Sequence, residues 1–249
     1  MSSRRSFLGV GLLPRILGWH CVCRAGAVST AASILPNETM DVEGVSRAYR
    51  LVIPSRLPKS GGVSLVFAFH GLGDSKDLMP LYTRLDLLAE KEGFVLVYPN
   101  AQRRMWPLVP QLAFGDLAFF DALHEKLVKT YSIDRRRVYL AGMSNGAYFT
   151  HLVASQRPGK VAAIAAHSGG LAMAPPKVTL KYGVFLAHGD RDNLVPVDQS
   201  RLARDAYVKW GHAVEYRELK GLRHAWGTRF GINAIIWEFF QNHPMPRTV

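Results

Sequence analysis

The chain has almost no cysteine. Of its 249 residues only Cys21 and Cys23 carry a thiol, and both lie near the N-terminus, so the remainder offers neither a disulfide nor a thiolate metal site. Long apolar runs are missing as well: no stretch approaches the roughly 20 residues needed to cross a bilayer, which excludes stable membrane insertion. No repeat with a period of about 20 to 50 residues is visible, which excludes a solenoid. There is no H-E-x-x-H and no histidine and acid spacing of the ligand type, so no metal is implied. A Walker loop is absent, and Gly71-Leu72-Gly73 lacks the third glycine of a dinucleotide fingerprint, so no cofactor is expected. Acid is scarce relative to base, with 19 Asp and Glu against 31 Lys and Arg and a net charge of +12. Part of that excess is local, because Arg4, Arg5, Arg15 and Arg24 all precede the first acid, Glu38. The densest later run, Arg135-Arg136-Arg137, reads as a solvated loop leading into a strand rather than a nucleic-acid patch.

What remains is an ordinary globular composition, 48% hydrophobic and 20% charged, with enough length to bury a large core as one domain. Residues 1–37 read as a targeting segment and 38–249 as the folded domain. Ser3-Arg4-Arg5-Ser6-Phe7-Leu8, running into apolar sequence up to Leu13, has the form of a twin-arginine export signal, and Ala25-Gly26-Ala27 offers a cleavage site. An Arg-rich, Ser-containing, acid-free start also suits a mitochondrial transit peptide, which is the alternative to export.

From Arg47 onward, strand-like runs alternate with helical patterns. Arg47 to Ile53 and Val63 to Phe69, separated by a turn-rich stretch, suit an antiparallel pair at a sheet edge. Strands are then expected at Phe94 to Tyr98, Val138 to Ala141, Ala162 to Ala166, Val184 to Ala187 and Val214 to Leu219. Helices are expected between them, at Leu81 to Lys91, Asp116 to Tyr131, Gly146 to Ser155 and Gln199 to Trp210, and a last one at Asn233 to Gln241. This alternation predicts an α/β fold with a mostly parallel, twisted sheet covered by helices on both faces. Functional groups in such sheets gather at the carboxyl ends of the strands.

The polar residues fall at those ends. Gly142-Met143-Ser144-Asn145-Gly146 follows the run Val138 to Ala141 and reads as a serine nucleophile on a sharp strand-to-helix turn, with glycines where strand and helix must approach closely. A serine hydroxyl needs a base to take its proton, and that base needs an acid to fix its tautomer. The chain order Ser, Asp, His is met by Ser144, Asp192 and His224. Asp190 is the alternative acid; Asp192 is preferred because Asp192-Asn193-Leu194-Val195-Pro196 forms a tight turn above the strand, while Asp190 is placed to bond nearby backbone amides. His70, His167 and His188 sit at strand ends too, beside tight turns, and read as structural. Backbone N–H groups of Leu72 and Asn145 are the candidate oxyanion donors, and because they act through main chain their side chains are expected to be free to vary. Trp106 and Trp226 are candidates for substrate contact or, equally, for packing.

Three segments carry a family resemblance. Asp116 to Leu123, Ile133 to Ala147, and His188-Gly189 with Asp192 and Val195-Pro196 together resemble the polyhydroxybutyrate depolymerase and feruloyl esterase branch of the α/β-hydrolases, over about Tyr49 to Pro244. The resemblance implies an α/β-hydrolase fold and a serine esterase acting on a small-molecule or polymeric ester through an acyl-enzyme, with Ser144, Asp192 and His224 as its triad. His70-Gly71-Leu72-Gly73-Asp74 looks more like the oxyanion loop of acyl-protein thioesterases and small carboxylesterases, which makes an acyl-thioesterase or small-molecule carboxylesterase the alternative activity. A catalytically silent hydrolase fold used for binding is the non-enzyme alternative.

Overall fold

The computed structural model describes residues 31–58, 62–173 and 180–247, so most of the expected targeting segment lies outside the described residues. Eight strands form one sheet: β1 (Ser33–Val42), β2 (Val45–Ile53), β3 (Val63–Phe69), β4 (Val95–Pro99), β5 (Ile133–Met143), β6 (Ala163–His167), β7 (Gly183–Gly189) and β8 (Val214–Leu219). Their spatial order is β1-β2-β4-β3-β5-β6-β7-β8. β1 and β2 run antiparallel to each other and β2 antiparallel to β4, whereas every neighbouring pair from β4 to β8 is parallel. The helices are α1 (Met79–Thr83), α2 (Leu85–Glu92), α3 (Phe114–Thr130), α4 (Asn145–Gln156), α5 (Asp198–Lys209) and α6 (Ile232–Asn242).

The sheet is covered on both faces, which is why its central strands show no polar alternation. Every residue of β3 is buried. Leu65, Phe67 and Phe69 of β3, with Val138 and Leu140 of β5, pack against α3, α4 and α5 on one face. Val66 and Ala68, with Tyr139 and Ala141, pack against α1, α2 and α6 on the other. This is the two-sided α/β architecture expected from the alternation.

Four details differ from expectation. β2 and β3 are not partners: β2 pairs with β1 and β4, and β3 sits between β4 and β5. The turn-rich segment after Ile53 is therefore a crossover, because the fully apolar β3 needs cover on both faces that an edge position would not supply. β1 was not foreseen, and the expected boundary between residues 37 and 38 falls inside it, so Ser33 to Asn37 belong to the sheet. The helix expected over Leu81 to Lys91 is two short helices, separated at Arg84, whose φ of 55° is left-handed. Finally, Arg135-Arg136-Arg137 lies within β5 rather than in a loop, and Arg135 and Arg137 are ion-paired, to Glu125 and Asp134 respectively.

Candidate active site

Ser144 sits at the junction of β5 and α4 with φ 54° and ψ −119°, a conformation that L-residues rarely adopt. The two flanking glycines are explained by contact. A Cβ on Gly142 would stand 2.3 Å from the Gly146 carbonyl oxygen, and one on Gly146 would stand 2.1 Å from the Phe69 carbonyl oxygen. The Ser144 N–H donates to the His167 carbonyl at 2.9 Å, tying the turn to β6.

The acid loop follows β7. The Asp192 side chain is fully buried; its Oδ1 accepts the N–H groups of Leu194 and Val195, each at 2.9 Å, and its Oδ2 lies 2.7 Å from His224 Nδ1. Burial by itself would raise the pKa of this carboxyl, but the Val195 N–H, the His224 ring and the Leu194 N–H outweigh it and hold it below the usual aspartate value. Asp190 is elsewhere: it accepts the Gly221 N–H at 2.6 Å and has an exposed carboxylate. The structure thus brings Asp192, not Asp190, to His224.

His224 lies in the loop after β8, and that loop is braced from beneath by His167. His167 Nε2 accepts the Gly227 N–H at 3.0 Å, so Nδ1 carries the proton and donates to Ser168 Oγ at 3.1 Å. Burial pushes the pKa of His167 down to about 3, which keeps the ring neutral for this role. Trp226 stacks on His167 at 5.0 Å and donates from Nε1 to Asn233 Oδ1 at 2.7 Å.

Ser144 and His224 open into one cavity of about 730 Å³, walled by Leu72, Leu194, Val195 and Trp226. The Leu72 loop runs beside the serine: a Cβ on Gly71 would come within 3.6 Å of Ser144 Cβ. Its turn is pinned by Gly73 N–H to the Arg104 carbonyl at 2.9 Å and Asp74 N–H to the Gly71 carbonyl at 3.2 Å. Asn145 is the first residue of α4, where a backbone N–H has no acceptor within its own helix. Its side chain is not free to vary, contrary to expectation: Nδ2 donates to the Trp106 carbonyl at 3.0 Å and Oδ1 accepts the Trp106 N–H at 2.7 Å.

The two tryptophans part company. Trp226 faces the cavity as well as packing on His167. Trp106 is only 1% exposed and is no wall of that cavity. It stacks on Phe149 at 4.6 Å and meets Phe69 edge-on at 5.2 Å, and its Nε1 donates to the His70 carbonyl at 3.0 Å. The substrate-contact reading of Trp106 is therefore replaced by packing, because a buried carbonyl needs its indole donor. Two cavity residues escaped the sequence reading. Asp74 faces the space with its Oδ2 held by Tyr82 Oη at 2.7 Å, and the burial of that phenol together with the carboxylate raises its pKa well above the ordinary value. An eight-residue separation across a turn left no periodic signal for that pair.

An elbow serine, a histidine paired with a buried aspartate, and a mostly parallel sheet covered on both faces define an α/β-hydrolase. The solved structures that resemble it agree in fold. A thermostable esterase superposes with a TM-score of 0.69 at 20% identity, over 85% of this chain and 63% of that one. The feruloyl esterase module from Clostridium thermocellum superposes with a TM-score of 0.69 at 16% identity, over 88% of this chain and 92% of that one. Residues 48–197 match the esterase PHB depolymerase family, and the chain belongs to that family. Among its curated relatives, a bifunctional acetylxylan esterase/xylanase of Neocallimastix patriciarum is 30% identical over 165 residues, which are 66% of this chain and 24% of that protein. Feruloyl esterase D of Neurospora crassa is 25% identical over 183 residues, 69% of this chain and 62% of that one. The chain thus spans less than two thirds of the length of both relatives.

Proposed function

We propose that this protein is a serine esterase that cleaves carboxylic esters through an acyl-enzyme on Ser144, with His224 as general base and then general acid and Asp192 as its orienting partner. The observation that carries this reading is the 2.7 Å contact between His224 Nδ1 and Asp192 Oδ2, made by a histidine that shares one cavity with the elbow serine. With Nδ1–H held by the buried carboxylate, Nε2 is left as the basic nitrogen. It takes the Ser144 proton as Oγ adds to the ester carbonyl carbon. The resulting oxyanion is met by the N–H groups of Leu72 and Asn145, each such donor supplying on the order of 3 kcal/mol of transition-state stabilisation. Collapse expels the alcohol, which receives the proton from His224. Water activated by the same ring then releases the acid and restores Ser144.

Family membership and the esterase relatives support ester hydrolysis. A cavity with apolar walls and one carboxylate, Asp74, suits a compact acyl group with a polar alcohol side, and Trp226 is the aromatic surface offered to it. Residues 1–37 are proposed to include a cleavable leader directing export, with residues from Ser33 already part of the sheet of the catalytic domain.

The test is Ser144→Ala assayed on p-nitrophenyl acetate, p-nitrophenyl octanoate, methyl ferulate and a polyhydroxybutyrate film. Loss of all turnover with an unchanged circular-dichroism spectrum is expected, and the panel ranks the substrates of the unmutated chain. Turnover that survives the substitution sinks the assignment.

A further inference from the structure

His188, the penultimate residue of β7, is completely buried, and the mechanism above makes no use of it. Its ring is nonetheless wired into the acid. Nε2 stands 2.9 Å from the Val195 carbonyl oxygen and 3.2 Å from Asp192 Oδ2. Carbonyl and carboxylate oxygens only accept, so Nε2 bears a hydrogen. Nδ1 is 2.6 Å from Ser200 Oγ of α5, and that hydroxyl is 2.6 Å from the Gly169 carbonyl oxygen in the loop after β6. Asp192 Oδ2 therefore faces two imidazoles, His224 at 2.7 Å and His188 at 3.2 Å, while Oδ1 is filled by two backbone N–H groups.

We propose that His188 is a positioning residue for the Ser144 reaction: its Nε2–H holds the acid loop in place and draws negative charge from the carboxylate oxygen that faces His224, so that the basicity of His224 is set through Asp192. The inference rests on the triad reading given under Proposed function. A bond to the Val195 carbonyl alone would only brace the loop. The second contact, on the oxygen shared with His224, is what couples His188 to the chemistry.

The charged and titratable groups around His188 are few. Asp192 and His224 face it from the two loops, His167 from β6, and Glu218 lies opposite it in the β8 register, with its carboxylate held by Arg201 of α5. Burial favours the neutral ring, while the Val195 carbonyl and Asp192 pull the other way. In the neutral ring Nε2 keeps its hydrogen, and the single hydrogen of the Ser200 hydroxyl goes either to Nδ1 or to the Gly169 carbonyl oxygen, not to both. Replacing His188 by a residue with no donor leaves more negative charge on Oδ2. That charge stabilises the His224 imidazolium and moves the acid limb of kcat/KM to higher pH.

The experiment measures kcat/KM for p-nitrophenyl acetate from pH 5 to 9 on the full chain and on His188→Leu and His188→Gln, with melting temperature recorded for each. For His188→Leu the acid limb is expected to move up by on the order of half a pH unit, so that activity falls about two- to threefold more at pH 6 than at pH 8. His188→Gln, which retains an N–H donor at that reach, is expected to return the limb toward its original position. An unmoved limb in a folded His188→Leu chain, whatever its melting temperature, overturns the proposal and leaves the triad standing. Should His188→Leu fail to fold, nitrogen-15 NMR of the histidine-labelled, unmutated chain decides, with His188 signals assigned by their loss in His188→Gln. A protonated Nε2 between pH 6 and 8 is expected, and an unprotonated Nε2 refutes the donor. Failure of the triad reading is separately visible as turnover in Ser144→Ala.

Discussion

Ser144 occupies a backbone conformation of the kind that costs of order 1–3 kcal/mol for a non-glycine residue, and it is held there by neighbours rather than by its own preference. Asp192, the acid proposed to serve it, differs from Asp190 in environment: one carboxylate is buried among two backbone N–H groups and two imidazoles, the other exposed on a single backbone N–H. Asp192→Asn is accordingly expected to lower kcat by about 10³- to 10⁴-fold, while Asp190→Asn changes it less than about tenfold, with steady-state kinetics as the measurement. The reverse order would move the acid to Asp190. That Asp192 rather than Asp190 meets His224 was legible because an aspartate followed by Asn-Leu-Val-Pro makes a tight local turn. The Asn145 clamp on Trp106 was not, since its partners are 39 residues apart and neither carries a pattern that names the other.

At the scale of elements, the elbow depends on how closely α4 lies over the end of β3. Gly146 is the contact point, and no side-chain carbon fits 2.1 Å from the Phe69 carbonyl oxygen, a backbone atom that cannot swing away. Gly146→Ala is expected to cost more than about 3 kcal/mol of unfolding free energy and to abolish turnover, as read by urea denaturation and by the ester assay. A variant of near-normal stability would show that the elbow can open. The break between α1 and α2 follows another demand of packing. Met79, Leu85 and Ala89 all enter the same core, but six residues of continuous helix would set Met79 and Leu85 about 120° apart. The left-handed turn at Arg84 brings them back into phase. Helical periodicity predicted both pieces as one, because nothing local, neither glycine nor proline, marks the site of the break.

For the whole molecule, burial of neutral imidazoles ties stability to pH. His151 and His167 are buried with their pKa values pushed down to about 3 by burial, against 6.5 for an unhindered histidine. Below pH 6.5 the unfolded chain takes up protons at these positions while the folded chain does not, so stability falls as pH falls from about 6.5 toward 3 and is flat above. Each ring contributes about 1.4 kcal/mol per pH unit within that window. Between pH 7 and pH 5 these two rings together are expected to lower the unfolding free energy read by urea denaturation by about 4 kcal/mol, and equal midpoints and slopes would mean that both rings take up protons in the fold. Asp192 acts in the same direction but at lower pH, since its folded-state pKa is depressed and its contribution disappears only as pH falls through the acidic range.

The amino-acid sequence by itself determined the alternation of strands and helices from β2 onward, the elbow glycines and the chain order Ser144, Asp192, His224, because each is written in a local period or a short turn that the chain satisfies within a few residues. Only the tertiary structure decided that β2 pairs with β1 and β4 instead of β3, that Trp106 packs inside, and that His188 and His224 converge on one oxygen of Asp192. Those outcomes depend on which buried surfaces and polar atoms find partners tens of residues away. That is settled by satisfying every strand face and every buried donor and acceptor at once, which no local stretch of the chain specifies.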